Sequence, residues 1–505
     1  MVDDYDSAIK YPISLSDLAM QRFGMFLSDL TRKLVKMVQC SPLDNSNIEY
    51  IQENCKYLEE LISKTVPTNL ANEICAKLQT YVLRSYLIDS GYFSPYHLHD
   101  QTFEDEFYCT AWIEVALEVL LAVLHPKVTS FSFVSRTILA DDVPTFAVPY
   151  LCRVMKKLKC IKEINLDVVP IERGTFIYYL LKHTELKELT FIGCTDTTLK
   201  LCYDFDLQFT KLDLRNSNIS DSCIPYLLKF ENLEYLDILH SYITEEGVTE
   251  LMQGLSKINC KIAESNQLCK RNFLKTFKSE LSSSQVYHIG NYLPNLTCLD
   301  ICLHWPLNLL PLRNLKKLTN LTVGVHGKSS SIPFIGFLHN LLREIGHQLL
   351  ELNVIKIDVD LEVIAQNCPS LERLGLKLVN RSLVHSNQNG TILPSVQFCE
   401  LSTYFVSDDY VQFVFSCLSN VKVLKLTFNR HDYSHALFDD ILERMRLGKL
   451  RELFMEDYKI ILRCRNLVVT LDNNYLAFIT RDVNFREVLA VLERNEAIQM
   501  PKTQE

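Results

Sequence analysis

Leu186-x-x-Leu189-x-Phe191, Phe209-x-x-Leu212-x-Leu214 and Leu233-x-x-Leu236-x-Ile238 are three successive copies of one phrase. It returns at Leu296-x-x-Leu299-x-Ile301, Leu318-x-x-Leu321-x-Val323, Leu371-x-x-Leu374-x-Leu376 and Val421-x-x-Leu424-x-Leu426. Apolar residues alternating over so short a stretch specify a strand with one buried face. Neighbouring copies stand mostly about 22 to 25 residues apart, the period of a leucine-rich repeat. Val128-x-x-Phe131-x-Phe133 and Ile161-x-x-Ile164-x-Leu166 extend the series backwards, and Cys260-x-Ile262 reads as a degenerate copy without its first leucine. Between copies the pattern is helical. After Leu214, Asn218 to Asp221 turn the chain, and Cys223, Tyr226, Leu227 and Leu228 supply an inward helix face.

A strand and a helix in every unit predict an α/β solenoid of about ten to twelve repeats, a leucine-rich-repeat horseshoe with a parallel sheet and outer helices. It spans 126–476, preceded by an all-helical N-terminal region at 1–125 and followed by a C-terminal cap and frayed tail at 477–505. At the usual asparagine-ladder position stand Cys194, Ser217 and Ser241, as in the cysteine-containing, helix-backed subtype. Polar interruptions at Cys269–Gln285, Gly327–Pro333 and Arg381–Thr391 read as inserted loops, where solenoids often place recognition. After Met455 the phrase fades, and Val468–Leu476 is expected to close the array.

The 505 residues, 48% hydrophobic and 22% charged, describe a packed soluble chain. No apolar run reaches the roughly 18 residues a membrane helix needs; Val115–Leu124 contains Glu118, stops at His125-Pro126 and reads as a buried helix. Met1–Asp6 is acidic and offers no secretory signal. Seventeen cysteines, an odd number spread along a long chain, fit reduced thiols in the cytoplasm or nucleus. A net charge of −9 argues against general nucleic-acid binding; the basic residues Lys270, Arg271, Lys275 and Lys278 are the local exception, read as a solvated loop.

No catalytic constellation is visible, and no cofactor or metal site is expected. Gly324-Val-His-Gly327-Lys328-Ser329 separates its glycines by two residues where a phosphate loop needs four. His97-Leu98-His99-Asp100 lacks the partners that would complete a zinc site. There is neither a Gly-x-Ser-x-Gly elbow nor a Cys-x-x-Cys pair. A solenoid has a broad recognition surface and no built-in cleft, so a non-enzymatic protein-binding role is expected.

The first 125 residues carry helical stripes instead. Leu15, Leu18, Phe23, Phe26, Leu30 and Leu34 recur at helical spacing, as do Ile51, Cys55, Leu58 and Ile62, and then Leu70, Ile74 and Leu78 after Pro67. Within the first stripe, Ser14-Leu15-x-x-x-Ala19-x-x-x-Phe23 resembles the box by which substrate receptors of cullin ligases bind elongin C. Leu15, Ala19 and Phe23 lie on one helix face: a pocket-filling leucine, a small residue for close approach, and a bulky apolar residue one turn on. Val66-Pro67-Thr68-Asn69-Leu70 looks like the apolar-Pro-x-x-apolar box that selects cullin-2.

The order of the two boxes and the repeats resembles the leucine-rich receptors of cullin-2–elongin ubiquitin ligases, the zyg-homologue type in particular. That resemblance implies elongin B–C and cullin-2 as partners, with a protein substrate on the repeats. Ala19 replaces the family's frequent cysteine, and its armadillo-like region has no counterpart before Glu505, so only the adaptor contacts are carried over. Two other readings use the same residues. Val66-Pro67-x-x-Leu70-x-x-x-Ile74-x-x-x-Leu78 also resembles the opening of an F-box, which implies a Skp adaptor and cullin-1. A plain leucine-rich scaffold would use Leu15, Ala19 and Phe23 to cap the first repeat. Whether Leu15 and Phe23 face solvent separates these readings.

Overall fold

A computed structural model describes parts of 22–36, then 45–76, 115–134, 143–167, 174–264 without 184, 274–303, 308–325, 332–378 without 358, 393–403 and 417–428 without 419. It also describes 452–455, 460–463, 468–471 and 475–478. The chain forms two compact units, one on Ile13–Glu280 and one on Leu281–Glu505.

In the first unit the repeat phrases become strands β1 (Ser130–Val134), β2 (Glu163–Asp167), β3 (Glu188–Phe191), β4 (Lys211–Asp213), β5 (Tyr235–Asp237) and β6 (Thr276–Glu280). All pair in parallel, in sequence order. The register aligns Phe131, Ile164, Leu189, Leu212, Leu236 and Phe277 across six strands, and each is buried. Burying a side chain of this size stabilises by about 1.5–3 kcal/mol. A single repeat has nothing to bury it against, so the stack is the folding unit. Helices α5 (Val143–Lys157), α6 (Gly174–Leu180), α7 (Asp196–Asp204), α8 (Ile224–Leu227) and α9 (Glu245–Glu264) alternate with these strands.

In the second unit β7 (Cys298–Leu303), β8 (Asn320–Val325), β9 (Glu351–Ile355), β10 (Arg373–Leu378), β11 (Phe398–Thr403), β12 (Val423–Phe428) and β13 (Glu452–Met455) pair in parallel. Helices α10 (Ser283–Tyr292), α11 (Ile332–Ile345) and α12 (Leu361–Asn367) alternate with them. Strands β14 (Ile460–Arg463), β15 (Val468–Leu471) and β16 (Tyr475–Phe478) continue the sheet beyond β13, each antiparallel to the strand before it. The fold is the expected leucine-rich-repeat α/β solenoid.

Several sequence readings are corrected. Cys260 and Ile262 lie in α9, a 20-residue helix, and the strand that follows β5 is β6. The long helix delays that strand, and Leu274-x-x-Phe277-x-Ser279 disguises it, because a buried serine takes the third apolar place. The stretch read as an inserted loop at 269–285 therefore contains β6 and the start of α10, while Ile332 and Pro333 open α11. At α8 the inward residues are Cys223, Ile224 and Leu227; Tyr226 and Leu228 are half-buried. The loop at 381–391 lies outside the described residues.

Each early repeat leaves its strand through a left-handed residue: Gly193 at φ 82°, Asn216 at 52° and His240 at 57°. The next residue bonds a carbonyl: Ser241 Oγ closes its own turn by donating to the Ile238 carbonyl at 2.8 Å, and Ser217 Oγ donates to the Phe191 carbonyl of the preceding repeat at 3.0 Å. On the helical side a second ladder runs from repeat to repeat. Asp196 accepts from Ser220 N (2.8 Å), Ser220 Oγ (2.6 Å) and Ser222 Oγ (2.6 Å). Asp221 accepts from Thr244 N and Oγ1, both at 2.7 Å. Gly247 lets Asp221 approach, since a Cβ there would stand 2.0 Å from Asp221 Oδ1.

Burial pushes the ladder thiol Cys194 well above the ordinary thiol range, and Cys202 and Cys223 up to about 12. Every described cysteine is a free thiol, and Cys160 is exposed.

Two measurements check this account. Gly193→Ala is expected to lose about 1–2 kcal/mol in urea unfolding, while Asn216→Gly changes stability by only a few tenths, because only the first forces a β-carbon into the left-handed region. In native protein at pH 8, iodoacetamide should modify Cys160 within minutes and Cys194, Cys202 and Cys223 only after denaturation. Equal labelling, read by peptide mass mapping, would contradict the buried ladder.

Candidate partner-binding surfaces

The N-terminal helices fold onto the first repeat. The described residues between 22 and 36 are helical and belong to α1; α2 is Asn45–Thr65, α3 spans 71–76 and α4 spans 115–123. The expected buried helix is confirmed: Val115, Val119, Leu120, Val123 and Leu124 are all interior. Its one charge, Glu118, forms a two-armed pair with Arg153 of α5, the second arm 2.7 Å long. Lys157 of the same helix reaches the Leu121 carbonyl at 2.7 Å and Glu59 of α2 at 3.1 Å. Helix α3 is tied to the first strand, for Asn72 Oδ1 accepts from Thr129 N at 2.9 Å and its Nδ2 donates to Thr129 Oγ1 at 2.7 Å. Cys75 Sγ donates to the Val123 carbonyl at 3.2 Å.

These contacts consume one side of each helix and leave another free. On α1, Leu27, Thr31 and Leu34 are buried, and Thr31 Oγ1 is satisfied by the Leu27 carbonyl at 2.8 Å. Phe23 sits half-buried one turn earlier, its ring 5.9 Å from that of Phe26, and Phe26 is 51% exposed. Leu15 and Ala19 lie outside the described residues.

After α2 the chain breaks at Pro67 into a single 3-10 turn, Thr68–Leu70, closed by Leu70 N to the Pro67 carbonyl at 3.0 Å. Pro67 is exposed, Leu70 is 41% exposed and Val66 is half-buried, whereas Ile62, Ala71 and Cys75 on either side are interior. The break exists because proline has no N–H for the preceding turn. Val66, Pro67 and Leu70 thus form an outward apolar step. The F-box reading would continue through Ile74, which is half-buried, to Leu78, which lies outside the described residues.

The second surface is the outward face of the strands, whose residues sequence reasoning did not name. Its signal was the alternate positions of each phrase, once the register was known. In the first unit Glu188, Lys211 and Tyr235 stand abreast. Lys211 Nζ is 3.5 Å from Glu188 and 5.3 Å from the Tyr235 ring centre. In the next row Asp237 is interior, receiving Leu239 N at 3.1 Å and pairing with Lys278 at 3.6 Å. Burial raises the Tyr235 phenol to about 12, against the pull of Lys278, so it remains a neutral donor. Lys275 and Lys278, read as part of a solvated basic loop, lie at β6 and are paired with Glu234 and Asp237.

In the second unit the face centres on Glu351. It accepts from Asn320 Nδ2 and Asn353 Nδ2, each at 2.9 Å, and lies 3.5 Å from Arg373 Nε. The Arg373 guanidinium stacks 4.1 Å from the Phe398 ring centre. Glu400 lies between Lys377 and Lys425, 3.4 Å from each. Among the described residues no group of His, Cys, Asp and Glu is arranged to hold a metal, and no helix is long and apolar enough to cross a membrane. Both sheet faces are polar, largely self-paired surfaces suited to recognising a protein.

No protein-family profile and no curated protein matches this chain. Solved structures do. One is the Rad7 and Elc1 complex in yeast, at 14% identity over 84% of this chain and 97% of that one, with a TM-score of 0.41. Another is an internalin, inlF, from Listeria monocytogenes, at 16% identity over 55% and 69%, with a TM-score of 0.27. A third is the LRR ectodomain of the receptor kinase GASSHO1/SCHENGEN3 from Arabidopsis thaliana, at 13% identity over 60% and 33%, with a TM-score of 0.24. At such values these likenesses carry no argument about partners, and the fold rests on the strand ladder itself.

The outward step has a thermodynamic signature. Leu70→Ser should change unfolding stability by no more than about 0.5 kcal/mol, whereas Leu58→Ala, from the buried side of α2, should cost about 2–5 kcal/mol. A large loss at Leu70 in urea unfolding would place it in the core.

Proposed function

We propose that this chain is a non-enzymatic substrate-recognition subunit of a cullin–RING ubiquitin ligase, acting in the cytoplasm or nucleus. Leu15, Ala19 and Phe23 dock elongin C of elongin B–C. Val66, Pro67 and Leu70 contact cullin-2. The polar strand faces hold the target while other subunits transfer ubiquitin. The order of the two boxes and the repeats resembles that of the zyg-homologue receptors.

The observation that carries this reading is the exposure of Phe26. Its helix buries Leu27, Thr31 and Leu34, while the Phe26 ring is left to solvent. Phe23, the one described residue of the box, is half-buried with its ring 5.9 Å from that of Phe26, so the box borders this exposed ring. A buried leucine anchor there is worth roughly 1.5–3 kcal/mol to a helix-in-groove complex. The exposed step at Pro67 and Leu70 supports a second contact in the same unit.

The test is co-purification with elongin B–C, beside a Leu15→Ser/Ala19→Asp variant of unchanged circular dichroism and melting temperature. Wild-type binding lost in the variant is the expected result. Failure of the folded wild type to bind would overturn the reading and make the Skp adaptor the next bait.

A further inference from the structure

A cluster of lysines with no acid partner among the described residues lies neither on the docking helices nor on the strand faces, but where two turns lead into β2 and β3. The turn at 158–161 follows α5, and the turn at 181–186 follows α6. They are neighbours: His183 Nε2 donates to the Met155 carbonyl at 3.0 Å, and Lys187 N donates to the Lys162 carbonyl at 2.8 Å. Lys162 and Lys187 therefore stand side by side on adjacent strands, about 4.8 Å apart at the backbone.

Lys156 and Lys182 converge on the same ring. Their ammonium nitrogens lie 4.7 Å and 5.6 Å from the centre of Tyr179, and Lys182 is also 4.3 Å from that of Tyr178. Lys159 lies in the turn at 158–161. All five lysines are exposed.

None of the five has a carboxylate partner among the described residues. The nearby acids are otherwise engaged or few. Glu118 holds Arg153, Glu59 holds Lys157 and Glu188 holds Lys211. Glu163 and Glu185 are the exposed acids of this edge. In a chain of net charge −9 a basic edge of this kind stands out from the remaining surface.

We infer that this edge binds an acidic, extended peptide segment of a partner protein. The side-chain chemistry favours carboxylates over a nucleic acid. The cluster offers ammonium groups only, with its one guanidinium, Arg153, committed to Glu118; it therefore has no free planar fork to read base edges bidentately. Tyr178 and Tyr179 each already present a face to a lysine, which hampers them as platforms for bases. An extended strand carries alternate side chains about 6.6–6.8 Å apart, a spacing that flexible lysines on adjacent strands can follow. The surface is separate from the proposed elongin and cullin contacts and stands or falls independently of them.

The experiment is fluorescence anisotropy with the full chain and a fluorescein-labelled 12-residue peptide of alternating Glu and Ser, at 50 mM and 300 mM NaCl. A length-matched oligouridylate is the comparison probe. The expected result is saturable peptide binding that weakens at least tenfold at the higher salt. Lys159→Glu/Lys162→Glu/Lys187→Glu should weaken it at least tenfold, and Lys316→Glu, elsewhere on the chain, should not. Lys159→Glu alone, matched to wild type by circular dichroism, should weaken it at least twofold and guards against misfolding of the triple variant. No peptide binding by the wild type, equal binding by both folded edge variants, or tighter binding of the oligouridylate would overturn the inference.

Discussion

One leucine cannot be buried by its own repeat. The apolar face of each short strand is covered by the repeat on either side and by the helix that follows it, so every part of this molecule depends on stacking. The aligned row from Phe131 through Leu212 to Phe277 is that dependence in its simplest form. Stacking also explains the ladders. A turn repeated at one place in successive coils brings Asp196 to Ser220 and Asp221 to Thr244, so backbone groups at the helix starts find side-chain acceptors in the preceding repeat.

A stack must also end. At one end of the first unit, Asn72 of α3 and Glu118 of α4 attach a helical cap to the first strand and to α5, and Cys75 ties α3 to α4 within it. At the far end of the second unit, three antiparallel strands follow the last parallel one. The cap reading and the docking reading of the N-terminal helices are thus compatible, because a helix has more than one side. Leu27 and Leu34 serve the interior, and Phe26 faces out.

The outward positions of the strands are free of the packing demand, and here they form charge pairs. Glu351 and Glu400 organise one face; Lys211, Tyr235 and Lys278 organise the other. Groups already satisfied in this way contribute selectivity more than raw affinity to a partner, since each new contact replaces an existing one. The lysines ahead of β2 and β3 differ in having no such acid partner.

The sequence by itself determined the fold class, because a phrase whose apolar residues alternate and then recur after a helix admits one way of burying them. Leu349-x-x-Leu352-x-Val354 fits that phrase as well as any copy. The sequence did not determine β6, where a long α9 shifted the period and buried Ser279 replaced an apolar residue. Nor did it distinguish Lys275 and Lys278, which are paired, from Lys159 and Lys162, which are not. Periodicity is a property of one stretch of chain, so it is legible along the chain. Which charges meet, and which side of an amphipathic helix is left to solvent, depends on residues tens of positions apart, and only the packed repeats bring those together.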